Sequence, residues 1–232
     1  MKKNILIVGG SSGVGLALVK LLCQENNVIV ASRTNDSISD LPITYLPFDV
    51  EKDDLDISKI PDQLNGFVYC PGSINLRPFK GLKQEVFIQD FSINVLGAIK
   101  TLQAVQNNLQ NCETSSSVVL FSTVAVTTGM PFHSSVATAK GALEGLARSL
   151  AAELSPKIRF NVIAPSLVDT RLAEKFLNNE TKKSNAASRH PLQRIGNPME
   201  IAQMAKFLIS DESSWMTAQT ITIDGGIGSI KS

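Results

Sequence analysis

The amino-acid sequence predicts an α/β fold in which a doubly wound parallel sheet of about seven strands carries helices on both faces. Three observations lead there. Ile5, Leu6, Ile7 and Val8 form a continuous apolar run, as expected of a strand buried on both faces of a parallel sheet. A glycine-rich stretch, Gly9-Gly10-Ser11-Ser12-Gly13-Val14-Gly15, follows at once. Beyond it, short apolar runs alternate with helical segments to the end of the 232 residues.

The elements follow in order. Leu16 to Leu22 is apolar all round and reads as a buried helix, so the glycines occupy a strand-to-helix turn. A turn this tight needs residues without a Cβ, and its backbone N–H groups point at any anion lying at the positive end of the helix. A pyrophosphate fits that place, whereas a P-loop is excluded because no Lys-Ser or Lys-Thr closes the turn. Val28 to Ala31 is a second strand that runs into Ser32-Arg33-Thr34-Asn35. Asp49-Val50 ends a third strand candidate, and Phe67 to Gly72 forms a fourth strand and its turn. Asn94 is expected in a helix, Asn94-Val95-Leu96-Gly97. Val118 to Thr123 reads as a fifth strand, a lysine-bearing helix starts near Ala137, and Asn161 to Ser166 is a strand end. Asn197-Pro198-Met199-Glu200 opens the last long helix, with a capping asparagine, proline at the first helical position and glutamate at the third. Ile221 to Gly226 supplies the closing strand and turn.

Bulk properties agree with one domain spanning residues 1–232. At 43% hydrophobic residues the chain can build a single sizeable core. It has no internal repeat or linker, and its longest polar stretch is Asn178 to Arg194. No apolar segment approaches the ~20 residues of a membrane span, and Met1-Lys2-Lys3-Asn4 leads straight into a strand rather than a signal peptide, so a cytoplasmic location is expected. Cys23, Cys70 and Cys112 stand at unrelated spacings and suggest inert thiols, with neither disulfides nor a metal site. A net charge of +1 gives no footprint for nucleic acid or anionic membrane. Small molecules are the expected partners.

The spacing Gly9-x3-Gly13-x-Gly15, together with Asp49-Val50, Asn94, Lys140, Asn161-x3-Pro165-Ser166 and Asp224-Gly225-Gly226, resembles the short-chain dehydrogenase/reductase family over essentially the whole chain. That resemblance implies a Rossmann-type sheet and a bound nicotinamide dinucleotide. Gly9, Ser11, Ser12, Gly13, Val14 and Gly15 would face the pyrophosphate. Asp49 and Val50 would hold the adenine, and Pro165, Ser166, Val168 and Thr170 the nicotinamide end, with Gly72, Asn94 and Lys140 beside the ribose. Such enzymes select NAD with an acidic side chain at the end of the second strand. Here Ser32 stands at that position and Arg33 offers a guanidinium fork suited to phosphate, with Thr34 next to it, so NADP (NADPH) is preferred over NAD. A solvated loop arginine is the alternative.

In the family a tyrosine protonates the substrate oxygen, a lysine four residues later lowers the tyrosine pKa and binds the ribose, a serine orients the substrate, and an asparagine holds a connecting water. By resemblance the catalytic residues are Lys140, Thr123 in the serine position, and Asn94. Ser122 would point to the other side of the strand. Val136 takes the tyrosine position, and sliding the alignment does not restore a phenol, because the chain's two tyrosines are Tyr45 and Tyr69.

Three explanations follow. His133, one turn earlier, supplies the proton, with a loop residue as its plainer reading. Alternatively, water or the substrate supplies it, as for an activated alkene or a polarised carbonyl. In the third, the chain is a catalytically inactive NADP-binding protein, a sensor or oligomer scaffold. The first two describe an NADP(H)-dependent oxidoreductase acting on a small carbonyl, alcohol or activated alkene, and Thr123 and Asn94 favour that class. Residues 171–196 stand where the family has its substrate lid, and Leu172, Phe176 and Leu177 are expected to form one apolar face of a short helix there. Arg189, His190 and Arg194 would meet an acidic substrate or face solvent. A homodimer or homotetramer is expected, with Ala137, Ala139, Gly141, Ala142, Gly145 and Ala147 allowing close helix contact.

Overall fold

A computed structural model describes residues 2–230; Met1, Lys231 and Ser232, the extreme ends of the expected domain, lie outside the described residues. In chain order the elements are β1 (Asn4–Val8), α1 (Gly13–Leu22), β2 (Asn27–Ser32), β3 (Ile43–Pro47), β4 (Gly66–Tyr69), α2 (Gln84–Phe91), α3 (Gly97–Gln110), β5 (Ser116–Phe121), α4 (Ala125–Thr128), α5 (Ser134–Leu154), β6 (Ile158–Pro165), α6 (Glu180–Ser188), α7 (Pro198–Ile209) and β7 (Thr220–Ile223). The seven strands form one parallel sheet in the order β3-β2-β1-β4-β5-β6-β7.

Alternation along the strands builds two cores. Leu6, Val8, Phe67, Tyr69, Val118 and Leu120 pack on the side of α3 and α5, whereas Ile5, Ile7, Val68, Val119 and Phe121 pack on the side of α1 and α7. Strand order reverses at β1 and β4, and the crevice beyond their carboxyl ends is where such sheets take ligands. Arg159 fixes one flank: its guanidinium donates to the carbonyls of Leu208, Ser210, Ser213 and Met216 and to Ser213 Oγ, tying the end of α7 to β6. The start of α7 carries the expected capping box, with Asn197 accepting from Met199 N and Glu200 accepting from Asn197 N, both at 2.8 Å.

Several boundaries differ from the sequence expectations. Helix α5 begins at Ser134, because Ala137 N already donates to the His133 carbonyl four residues back. Asp49-Val50 and Thr123 lie just past β3 and β5 rather than within them. Asn94 sits in a π-helical turn, Ser92–Leu96, not in an α-helix. Its side chain takes the Asp90 carbonyl at 2.7 Å, the acceptor its own backbone N–H would use in an α-helix.

The segment after β6 forms an excursion with a closed neck. Asp169 N donates to Gly196 O, and Gly196 N to Leu167 O, both at 2.9 Å. Its first part is not the expected amphipathic helix. Arg171–Phe176 is a three-residue-per-turn helix that buries Ala173 and leaves Leu172 exposed, with Leu177 buried just after it, so no common face of Leu172, Phe176 and Leu177 exists. The polar helix α6 follows.

Candidate active site

The residues expected to bind a dinucleotide all gather at the carboxyl edge of the sheet. Gly9 and Gly13 have positive φ, at 78° and 54°, a backbone conformation that side chains with a Cβ resist. Gly15 is forced by packing instead: a Cβ there would fall 2.2 Å from the Gly9 carbonyl oxygen. Ser12 stands at the N-cap of α1 but makes no side-chain cap, so the first-turn N–H groups of Gly13, Val14 and Gly15 remain available to an anion. A buried Ser32 closes β2 by donating to Thr34 O at 2.9 Å, and Arg33 and Thr34 beyond it are exposed. Arg33 has no hydrogen-bond or ion-pair partner among the described residues. Asp49 Oδ1 accepts from Glu51 N at 3.0 Å, which fixes the turn after β3 beside Val50.

At the other end, α5 delivers Lys140 into the crevice. Gly72, in the turn after β4, makes room for it: a Cβ on Gly72 would lie 3.4 Å from Lys140 Nζ, 3.1 Å from Asn94 Oδ1 and 4.0 Å from Leu172 Cδ2. The ammonium is buried, and burial is the chief reason its pKa falls from 10.5 to about 8, against the opposing influence of Cys70 and Asp90. Burial likewise pushes the Cys70 thiol up to about 12, so the thiol is inert. Asn94 Oδ1 is buried without a partner among the described residues. It and the ammonium border the same point beside Gly72.

Other expected residues are engaged elsewhere. Val136 is only 3% exposed, packed at the base of α5. Thr123 Oγ1 accepts from Ala125 N at 3.3 Å, and its O–H remains free to donate. Ser122 does turn to the opposite side, donating to Glu144 Oε1 at 2.6 Å. His133 Nδ1 is spent on the Pro131 carbonyl at 2.7 Å, in its own loop. Tyr69 is a packing residue whose hydroxyl donates to Ile93 O at 2.5 Å; burial raises its pKa. Pro165 ends β6 and Ser166, Val168 and Thr170 follow it, with Thr170 reaching over the glycine turn, where its Cγ2 would be 3.3 Å from a Cβ on Gly13.

Of the three residues expected to meet a substrate or face solvent, two are engaged within the protein. Arg194 pairs with Glu200 at 2.6 Å and pulls that carboxyl down to about 2, while His190 is buried against Ser166, with Nε2 and Oγ 2.9 Å apart. Arg189 is exposed. Along the excursion a cleft of about 460 Å³ opens among Asp169, Thr170, Glu174, Leu177 and Lys183.

Sequence reasoning missed one feature of the site. In α2 the apolar Ile88 and Phe91 face outward, 67% and 37% exposed, while Asp90 is fully buried beside Asn94. The available signal was the spacing: Asp90 and Asn94 are four apart, hence on one helix face.

Comparison with known proteins agrees with this geometry. A family model described as "Enoyl-(Acyl carrier protein) reductase", of the short-chain alcohol dehydrogenase type, matches residues 9–228. The chain is a short-chain dehydrogenase/reductase. Among curated members of the family, the 3-oxoacyl-[acyl-carrier-protein] reductase FabG of Thermotoga maritima is 32% identical over 244 residues, covering 97% of each chain. Among solved structures, a short-chain dehydrogenase family protein from Francisella tularensis superposes with a TM-score of 0.89 at 27% identity, covering 99% of this chain and 100% of that one. ElxO, solved with NADP bound, gives a TM-score of 0.88 at 25% identity, covering 99% and 100%. As a short-chain dehydrogenase/reductase with relatives named as reductases and dehydrogenases, the protein is an oxidoreductase by family.

Proposed function

We propose that this short-chain dehydrogenase/reductase uses NADP(H) to interconvert a small carbonyl and its alcohol, or to reduce an activated alkene, and that Lys140 itself carries the proton. The observation behind this reading is the buried Lys140 ammonium at the end of a crevice whose opposite end is an uncapped helix N-terminus.

The residues present fit a dinucleotide. Free N–H groups at α1, glycines whose Cβ atoms would fill the turn, and the orphaned Asn94 oxygen all call for a polar ligand. Gly9, Ser11, Ser12, Gly13, Val14 and Gly15 would hold the pyrophosphate, Asp49 and Val50 the adenine, Ser32, Arg33 and Thr34 the 2′-phosphate, and Gly72, Asn94, Lys140, Pro165, Ser166, Val168 and Thr170 the nicotinamide riboside. When bound, the cofactor gives or accepts a hydride. The unpartnered guanidinium of Arg33, with no carboxylate at Ser32, is what supports NADP over NAD.

Val136 has no exchangeable proton, and His133 is bound to its own loop. An amine with a pKa of about 8 is mostly protonated at pH 7 yet gives its proton up far more readily than an ordinary lysine, the range in which a general acid is effective. In reduction, the Lys140 N–H bond breaks as the substrate oxygen gains its proton, and the neutral amine recovers a proton from solvent on the Asn94 side. Thr123, with its O–H unspent, orients the substrate oxygen.

The test is direct. NADPH and NADH are titrated by nicotinamide fluorescence, and a panel of ketones and quinones is assayed with NADPH. Tighter NADPH binding, and turnover abolished by Lys140→Met but retained by His133→Ala, are expected. A parent that binds NADPH yet turns over only as Val136→Tyr would establish the inactive nucleotide-binding alternative instead. We propose in addition that the chain forms a homodimer or homotetramer, which the exposed Ile88, Phe91 and Leu96 on α2 and the turn after it support.

A further inference from the structure

Asp90 is a carboxylate with no exposure, in a helix that leaves the apolar Ile88 and Phe91 outside. Such a group persists only when its lone pairs are satisfied. Oδ1 accepts from Ser73 Oγ at 2.5 Å and from Asn75 Nδ2 at 2.9 Å, and Oδ2 accepts from Ser135 Oγ at 2.6 Å. Three segments thus converge on it: the turn after β4, α2, and the first turn of α5, where Ser135 immediately precedes Val136.

The polarity of this network reaches Lys140. An ionised carboxylate only accepts, so the Ser73 hydroxyl must spend its single hydrogen on Asp90 and is left with lone pairs. Asn94 Nδ2 donates to one of them at 3.0 Å and to the Asp90 carbonyl at 2.7 Å. With both amide hydrogens committed, Oδ1 is turned toward the ammonium side of Gly72, where it has no protein partner. Were position 90 neutral and able to donate, Ser73 could give its hydrogen to Asn94 instead, and the amide could reverse.

We infer that Asp90 is a positioning residue for Lys140: through Ser73 it fixes the Asn94 amide with its acceptor toward the ammonium. The inference rests on the reading of Lys140 as the proton carrier but concerns the chain's own groups. The titratable groups facing Lys140 are Cys70, from the end of β4, and Asp90, from α2. Glu144, one turn along α5, is turned to Ser122 and Arg148. Removing the Asp90 charge and the acceptor beside Lys140 should both make protonation harder.

The experiment uses protein labelled with ¹³C-lysine and no nucleotide, so its outcome is independent of whether NADP binds. The Lys140 Cε shift, assigned by its loss in Lys140→Arg, is followed against pH in the parent, Asp90→Asn and Ser73→Ala. The expected result is a midpoint lowered by roughly one pH unit in Asp90→Asn and by a smaller but resolved amount in Ser73→Ala, which keeps the Asp90 carboxylate but breaks its link to Asn94. A purely structural Asp90 would lower the unfolding midpoint and leave the Lys140 titration where it was, and that result overturns the inference. Should Asp90→Asn fail to fold, Ser73→Ala decides alone: a Lys140 titration that matches the parent's refutes the proposed link. Failure of NADPH binding with the titration shift intact would instead count against the cofactor reading.

Discussion

Substituting Lys140 by methionine is expected to stabilise the folded chain at pH 7 while abolishing turnover. Among the described residues no carboxylate pairs directly with the buried ammonium, and its pKa falls from 10.5 to about 8. At about 1.36 kcal/mol per unit, that amounts to roughly 3 kcal/mol against folding. The sign follows from proton counting. Between pH 8 and 10.5 the unfolded chain holds a proton that the folded chain has lost, so stability rises with pH across that window. The cost is therefore full below pH 8 and gone above pH 10.5. Methionine keeps much of the lysine stem's volume and removes the charge, so the variant should exceed the parent by roughly 3 kcal/mol at pH 7 and by less than about 1 kcal/mol at pH 10. Urea unfolding of both proteins at the two pH values measures the difference. A variant no more stable than the parent at pH 7, or an advantage of equal size at both pH values, would refute the reasoning.

Gly15→Ala should disrupt the phosphate turn, since the new Cβ meets a backbone carbonyl at 2.2 Å and no flexible side chain can yield; NADPH affinity is expected to drop at least roughly tenfold and stability by about 1–3 kcal/mol, read by fluorescence titration and thermal melting. Arg159→Met removes the guanidinium shared by four carbonyls between Leu208 and Met216, each of which keeps another donor, and chemical denaturation should register a loss of about 1–3 kcal/mol with little change in nucleotide affinity. Ile88→Glu, on the outward face of α2, should lower the assembly mass measured by light scattering while the melting curve of the fold is retained.

The strands and the nucleotide end of the site were legible because local chemistry dictates them. An all-apolar tetrapeptide followed by glycines spaced for a tight turn leaves little freedom, and Gly9, Gly13 and Gly15 hold the expected turn for identifiable geometric reasons. Lys140, Asn94 and Gly72 were likewise brought together as the family pattern implies. What could not be read was where polar side chains spend their hydrogen bonds. Nothing local says that His190 turns inward to Ser166 while its neighbour Arg189 stays in solvent, because the choice is made by a strand end 24 residues away. Asp90 was hidden by an inverted pattern: in α2 the acid is inside and Ile88 outside, the reverse of what hydrophobic periodicity assumes. The excursion's first helix was misjudged because an apolar spacing that suits 3.6 residues per turn adopts three.

The closed neck at Asp169 and Gly196 has a consequence for how this protein can change. The two ends of the excursion are held together there by one pair of backbone bonds, and between them it rests on the fold at named points: Thr170 against the Gly13 turn, Lys175 on the Ile74 carbonyl, His190 against Ser166, and Leu192 N on the Gly225 carbonyl. Changes of length or sequence in the excursion are therefore expected to be tolerated where they keep the two clamping positions together with Thr170, His190 and Leu192, and to unsettle the strand ends where they do not.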